Sequence, residues 1–215
     1  MPALTHISRT TSLRNAQASW VEILELVVAL VFVHLTANAG LLGRVLGLDT
    51  MLAVYAGFSL LVYCGANFGW HSAARRMVGW VGAPWPHWMA SAAAGAVLGG
   101  IVTALSLVFG HSIRVTEPFP NKLLAVTLGP ILEEICIRGG VLPVVERVTG
   151  PGVAIGVASC IFAALHLPGS APKIASILGT GVTYGWIRVR SGSTALAALA
   201  HATYNLSVLL AAAFL

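Results

Sequence analysis

The sequence predicts an all-α protein, a polytopic transmembrane helix bundle of seven to eight spans. Three observations lead there. Of 215 residues, 57% are hydrophobic and only 9% are charged, whereas a soluble domain carries about 25% charged residues. Mean hydropathy is +0.87. The apolar runs are long and continuous, which suits helices that satisfy their own backbone in lipid. They lack the roughly ten-residue alternating segments of an outer-membrane barrel. The 23 glycines and abundant alanines also suit close helix–helix approach in a bilayer.

Residues 1–20 read as a polar cytoplasmic tail carrying Arg9 and Arg14, followed by a single membrane-embedded domain over 21–215. No small-residue cleavage site follows a short apolar run, so the first helix is expected to be retained rather than removed as a signal peptide. Seven apolar segments lie at roughly 21–42, 51–69, 89–109, 123–145, 151–167, 174–188 and 193–215. Most approach the ~20 residues needed to cross a bilayer core, the fifth and sixth being shorter. An eighth helix would come from a re-entrant or split segment. In the first span, Glu22 and Glu25 lie near the end and can reach the interface, and His34 reads as a neutral packing residue. The connection from Gly69 to His87 holds Trp70, Trp80, Trp85, Pro84, Pro86 and the Arg75-Arg76 pair, the make-up of an anchoring loop at headgroup level.

The net charge of +5 sits mostly in connections, where basic residues set topology and touch lipid headgroups; no nucleic-acid partner is expected. A cytoplasmic N-terminus puts Arg9, Arg14, Arg75, Arg76, Arg147, Arg188 and Arg190 inside, and Arg44, Arg114, Lys122 and Lys173 outside. That lean favours the N-in orientation. Cys64, Cys136 and Cys160 fall in apolar segments without paired spacing. They read as small buried hydrophobes rather than a disulfide frame or thiolate metal site.

The segment 123–142 would pass for an ordinary span but for Glu133, Glu134 and Arg138. A charged side chain at mid-membrane costs roughly 2.5–3.5 kcal/mol on insertion scales, so three within six positions mark a functional site. Two further patterns lie in later spans, Phe162-Ala163-Ala164-Leu165-His166 and His201-Ala202-Thr203-Tyr204-Asn205. Residues four apart share a helix face, which pairs Glu134 with Arg138, Phe162 with His166, and His201 with Asn205. Glu133 is turned by about 100° from Glu134. One glutamate is then free for chemistry while the other is neutralised by arginine.

A glutamate near an imidazole can take a proton from water. The tetrahedral oxyanion formed by attack on a peptide carbonyl needs hydrogen-bond donors, and His201 and Asn205 offer an imidazole N–H and an amide NH₂. No serine or cysteine nucleophile is needed. Each piece alone has a structural explanation: an ion pair, an interhelical hydrogen bond, and Phe162 as packing. All three in order, each within a span, are much harder to explain that way.

Together these patterns resemble the signature of the CAAX protease and bacteriocin-processing (CPBP, or Abi) intramembrane proteases: EExxxR, FxxxH and HxxxN, complete here over roughly residues 120–210. The resemblance implies a polytopic endopeptidase with its active site inside the bilayer. By motif position Glu133 is the base that activates water, and His166 binds and orients that water. His201 and Asn205 form the oxyanion hole, while Glu134 and Arg138 support the site. Family members are often labelled metal-dependent, and Glu133, His166 and His201 could ligate a catalytic zinc. No HExxH helix is present, and Asn205 suits an oxyanion donor better than a zinc ligand, so no bound metal is expected.

Straight helices in a seven-span topology place His166 late in its segment and His201 early in its own, at different depths. Tilt, or a fifth helix starting deeper at Pro151-Gly152, would bring them level. The implied partners are membrane lipid and a peptide or protein substrate with a membrane anchor. Composition rich in Ala, Gly, Val and Arg suggests a bacterial cytoplasmic membrane. Two other classes remain to be weighed. A proton-coupled transporter would show matched inverted halves, but the ionisable residues crowd the second half. A non-catalytic scaffold or immunity protein would have no need of Glu133 once Glu134 pairs with Arg138.

Overall fold

The computed structural model describes residues 79, 83–110, 119–166 and 170–214, and all regular structure among them is helical. The elements are α1 (Trp85–Val108), α2 (Phe119–Val126), α3 (Leu128–Glu134), a π-helical segment (Ile135–Val141), α4 (Leu142–Thr149), α5 (Pro151–Ala164), α6 (Ala171–Ser191) and α7 (Thr194–Phe214). Among the described residues, α1 and α7 are long and apolar enough to cross a bilayer, and α5 is a shorter apolar helix. The expected spans 21–42 and 51–69, with Glu22, Glu25, His34 and Cys64, lie outside the described residues, as do Trp70, Trp80 and the Arg75-Arg76 pair.

Where one span is expected over 123–145, the chain forms four helical pieces. Pro130 has no N–H for the carbonyl of Val126 and its ring crowds that carbonyl. Accordingly α2 stops at Val126, Thr127 leaves helical geometry at φ −123° and ψ −87°, and α3 begins at Leu128. Pro143 acts similarly one level on. It cannot donate to a preceding turn, and the helix widens to i→i−5 bonding, as in Leu142 N–H to the Ile137 carbonyl. π-Helical turns inside α-helices are frequent at functional sites, and this one begins directly after Glu134.

Gly150 at φ +85° and Pro151 separate α4 from α5, using glycine for a left-handed backbone and proline at the first helical position. Gly192, also left-handed at φ +70°, ends α6 by donating to the Arg188 carbonyl. α7 starts two residues later, tied back by a 2.7 Å bond from the Thr194 N–H to the Gly79 carbonyl.

α1 lies along α7 through small residues spaced four apart. The Ser91 hydroxyl donates to the Leu196 carbonyl at 2.5 Å. A Cβ on Gly95 would strike the Ala200 carbonyl and the Thr203 hydroxyl, and one on Gly99 would come within 2.7 Å of Ser207 Cβ. This is small-xxx-small packing, in which close backbone approach replaces the hydrophobic drive that lipid does not supply. The far side of α1 presents Val97, Ile101, Leu105 and Val108 outward, as a lipid-facing surface requires.

The core of the second half gathers Ile137, Val141, Leu142, Ala154, Ala158 and Phe162 between the π segment, α4 and α5. A second cluster, Tyr184, Ile187, Leu196, Ala197 and Ala200, joins α6 to α7. Cys136 is buried as expected. Cys160 is not: it faces outward from α5, because α5 turns the opposite face, with Ala154, Ala158 and Phe162, to the core.

Candidate active site

Glu134 and Arg138 lie on one face across the start of the π segment, both with 0% side-chain exposure. Arg138 Nη1 donates to Glu134 Oε1 at 3.0 Å, and its Nη2 donates to the Gly181 carbonyl on α6 at 2.8 Å. A buried ion pair is tolerated when further hydrogen bonds satisfy it, and α6 supplies one. The same Glu134 oxygen lies 3.1 Å from Nδ1 of His201 on α7. A carboxylate only accepts, so Nδ1 carries a proton there. Glu134 thus joins three elements at one atom.

Glu133 points elsewhere, as its rotation about the helix requires. Its side chain keeps 18% exposure, and its Oε2 lies 3.9 Å from His201 Nε2. That gap exceeds a direct hydrogen bond. The two edges of His201 therefore face different carboxylates: Nδ1 the buried, arginine-paired one, Nε2 the more accessible one.

His166 stands just past the end of α5, half-buried, with Nδ1 donating to the Phe162 carbonyl at 2.8 Å. Phe162 is packing, as expected, but packing placed between functional groups. Its buried ring meets His166 edge-on at 4.8 Å between centroids and His201 edge-on at 5.7 Å. The Arg138 guanidinium sits 4.6 Å from its centre, a cation–π distance. His166 and His201 thus meet the same Phe162 ring, on a helix that begins at Pro151. Among the described residues no ion pair joins His166 to Glu133.

Asn205 lies one turn beyond His201 on α7, where its Nδ2 donates to the Ala125 carbonyl at 2.7 Å. An amide NH₂ has two hydrogens, so one remains for a ligand. The bond also reaches the last turn of α2, just before the break at Thr127.

One residue at this site carries no motif. Tyr184 on α6, fully buried, stacks on the His201 ring at 4.8 Å and 20°. An aromatic residue on an otherwise unremarkable helix gives no sequence signal; only its four-residue spacing from Thr180 and Arg188, also buried, marks the inward face of α6.

A zinc site built on Glu133, His166 and His201 is not assembled. Among the described residues no three His, Cys, Asp or Glu side chains converge on a point where they could ligate one ion. As placed, Glu133, His166 and His201 do not form a three-ligand site.

A family model described as "Type II CAAX prenyl endopeptidase Rce1-like" matches residues 115–207. Over that segment the chain is similar to the Rce1-like family. It runs from just before α2 to within α7 and takes in Glu133, Glu134, Arg138, Phe162, His166, His201 and Asn205. Searches of curated proteins and of solved structures return no significant match. The match covers the three motifs and agrees with the family resemblance they carry.

Proposed function

We propose that the protein is an intramembrane endopeptidase that hydrolyses a peptide bond of a membrane-anchored substrate with water activated by Glu133. One observation carries the reading: Glu133 faces His201 across 3.9 Å at an accessible edge, while Glu134 and Arg138 neutralise each other at full burial beneath. A structural ion pair has no use for the second carboxylate.

The chemistry follows from the donors. Water adds to the scissile carbonyl carbon as Glu133 takes its proton. The carbonyl oxygen becomes an oxyanion, stabilised by the remaining Asn205 amide hydrogen and by an N–H at His201 Nε2. With Nδ1 already donating to Glu134, that N–H requires the imidazolium. His166 presents Nε2 to water because Nδ1 is occupied. Collapse of the intermediate breaks the C–N bond, and Glu133 returns its proton to the leaving amine. The products are a new carboxyl terminus and a free amine.

The substrate class is a peptide tethered to lipid by a prenyl group, a leader segment or a single span. We further propose a bacterial cytoplasmic membrane with the N-terminus inside, on the distribution of basic residues and the Ala/Gly/Val/Arg-rich composition. The test is cleavage of a panel by the purified full chain: a farnesylated CAAX peptide, a leader peptide and a single-span peptide. Single turnover in H₂¹⁸O is expected to place one solvent oxygen in the new carboxyl terminus. No cleavage of any panel member, with the fold intact, would speak against the peptidase and for a scaffold.

A further inference from the structure

His201 is the residue on which the site turns, since its two nitrogens face Glu134 and Glu133. One hydrogen bond at Nδ1 fixes a point on the ring but leaves the ring free to rock about that bond. Nε2 would then sweep past Glu133 rather than face it. Something must fix the plane.

The three sequence patterns supply only part of it. Phe162 meets the imidazole edge-on at 5.7 Å, which limits travel without defining a plane. The flat contact comes from α6: Tyr184 lies 4.8 Å from the His201 centroid and only 20° from parallel. α6 reaches that position because it carries glycine where it crosses its neighbours. A Cβ on Gly181 would lie 3.2 Å from Ser159 Cβ and 3.3 Å from Arg138 Nη2, and one on Gly185 would lie 3.2 Å from Ile155. The Gly181 carbonyl is also held by Arg138 at 2.8 Å. The guanidinium stands 5.5 Å from the Tyr184 ring centre. Tyr184 itself has 0% exposure.

We propose that Tyr184 is a positioning residue for the hydrolytic reaction: its ring face sets the plane of the His201 imidazole and so the direction in which Nε2 points. This rests on the peptidase reading. Aromatic pairs in offset-stacked geometry contribute beyond simple burial, and a misplacement of about 1 Å at a reacting group can cost on the order of 10²-fold in rate.

The experiment compares wild-type full chain with Tyr184→Phe and Tyr184→Met, on whichever panel peptide the wild type cleaves fastest. Rates are taken per folded molecule, with thermal unfolding measured alongside. Tyr184→Phe keeps the face and is expected to hold kcat within about twofold. Tyr184→Met is expected to lower kcat by about 10²-fold with KM nearly unchanged, because the flat face is lost and the substrate contacts are not. If Tyr184→Met fails to fold, cyclohexylalanine at 184 keeps the volume while removing the flat ring, and the same loss is expected. Wild-type kcat in the non-aromatic variants, or an equal loss in Tyr184→Phe, would overturn the role of Tyr184. Glu133→Gln is run beside them: full activity there overturns the hydrolytic reading itself, whereas an inactive Glu133→Gln with an unaffected Tyr184→Met overturns only this inference.

Discussion

Glu134 and His201 stand 67 positions apart in the chain and meet at 3.1 Å, on the same carboxylate oxygen that binds Arg138. Glu134 is therefore the joint between the ion pair and the imidazole rather than a spare charge. Glu134→Gln keeps an acceptor for Nδ1 but removes the charge that balances Arg138. It is expected to lower the unfolding midpoint, because Arg138 is left uncompensated, and to lower kcat, because a neutral amide holds His201 more weakly. Thermal unfolding in detergent and steady-state kinetics on a cleaved panel peptide read the two effects.

Arg138 is the other half of that pair and touches no reacting group. Both its hydrogen bonds are internal, to Glu134 and Gly181, and both members of the ion pair are fully buried. Removing one partner of a buried pair destabilises by about 3–5 kcal/mol because the other charge is left uncompensated. Arg138→Ala is expected to lose the fold before it loses chemistry, seen as a large drop in the thermal unfolding midpoint in detergent. An unchanged midpoint would show that Glu134 is not held as described.

Asn205 is expected to separate the two effects. Its second amide hydrogen is assigned to the oxyanion, so Asn205→Ala should slow cleavage by about 10²–10³-fold. It should also lose the 2.7 Å tie to Ala125, an exposed bond whose loss costs about 0.5–1.5 kcal/mol. A large kcat loss with a modest stability loss is the predicted pair of readouts.

Helix packing gives a test that touches no functional group. Gly95→Ala drives a methyl into the Ala200 carbonyl, beside His201, whereas Gly100 on the same helix has nothing within 4 Å of an added Cβ. Gly95→Ala is expected to destabilise by about 1–3 kcal/mol. Gly100→Ala is expected to be neutral or to stabilise by about 0.5–1 kcal/mol, since alanine loses less backbone entropy in a helix. Unfolding midpoints of the two variants check the contrast.

Much of this site was legible because chemistry leaves a mark on an apolar background. Glu133, Glu134, Arg138, His166, His201 and Asn205 stand out at helical spacing in segments where polar residues are costly, and the different directions of the two glutamates follow from helix rotation alone. The later helices were similarly legible, their ends marked by Gly150-Pro151 and Gly192. Three features were not. The π segment and the break at Thr127 hide within one long apolar run, since Pro130 and Pro143 are tolerated inside spans and need not interrupt them. The bond from Glu134 to His201 joins residues whose separate motifs say nothing about which nitrogen meets which oxygen. Tyr184 has no periodic or charged signal, because a stacking ring is defined by the helix it packs against.

The central claim is that Glu133 activates the attacking water without a metal ion. It is tested most directly by cleavage of the membrane-tethered peptide panel with purified full chain, comparing wild type and Glu133→Gln, each with and without a strong zinc chelator. The account predicts wild-type cleavage that survives the chelator and disappears in Glu133→Gln, with unfolding midpoints alike. Cleavage abolished by the chelator, or retained in Glu133→Gln, would contradict it.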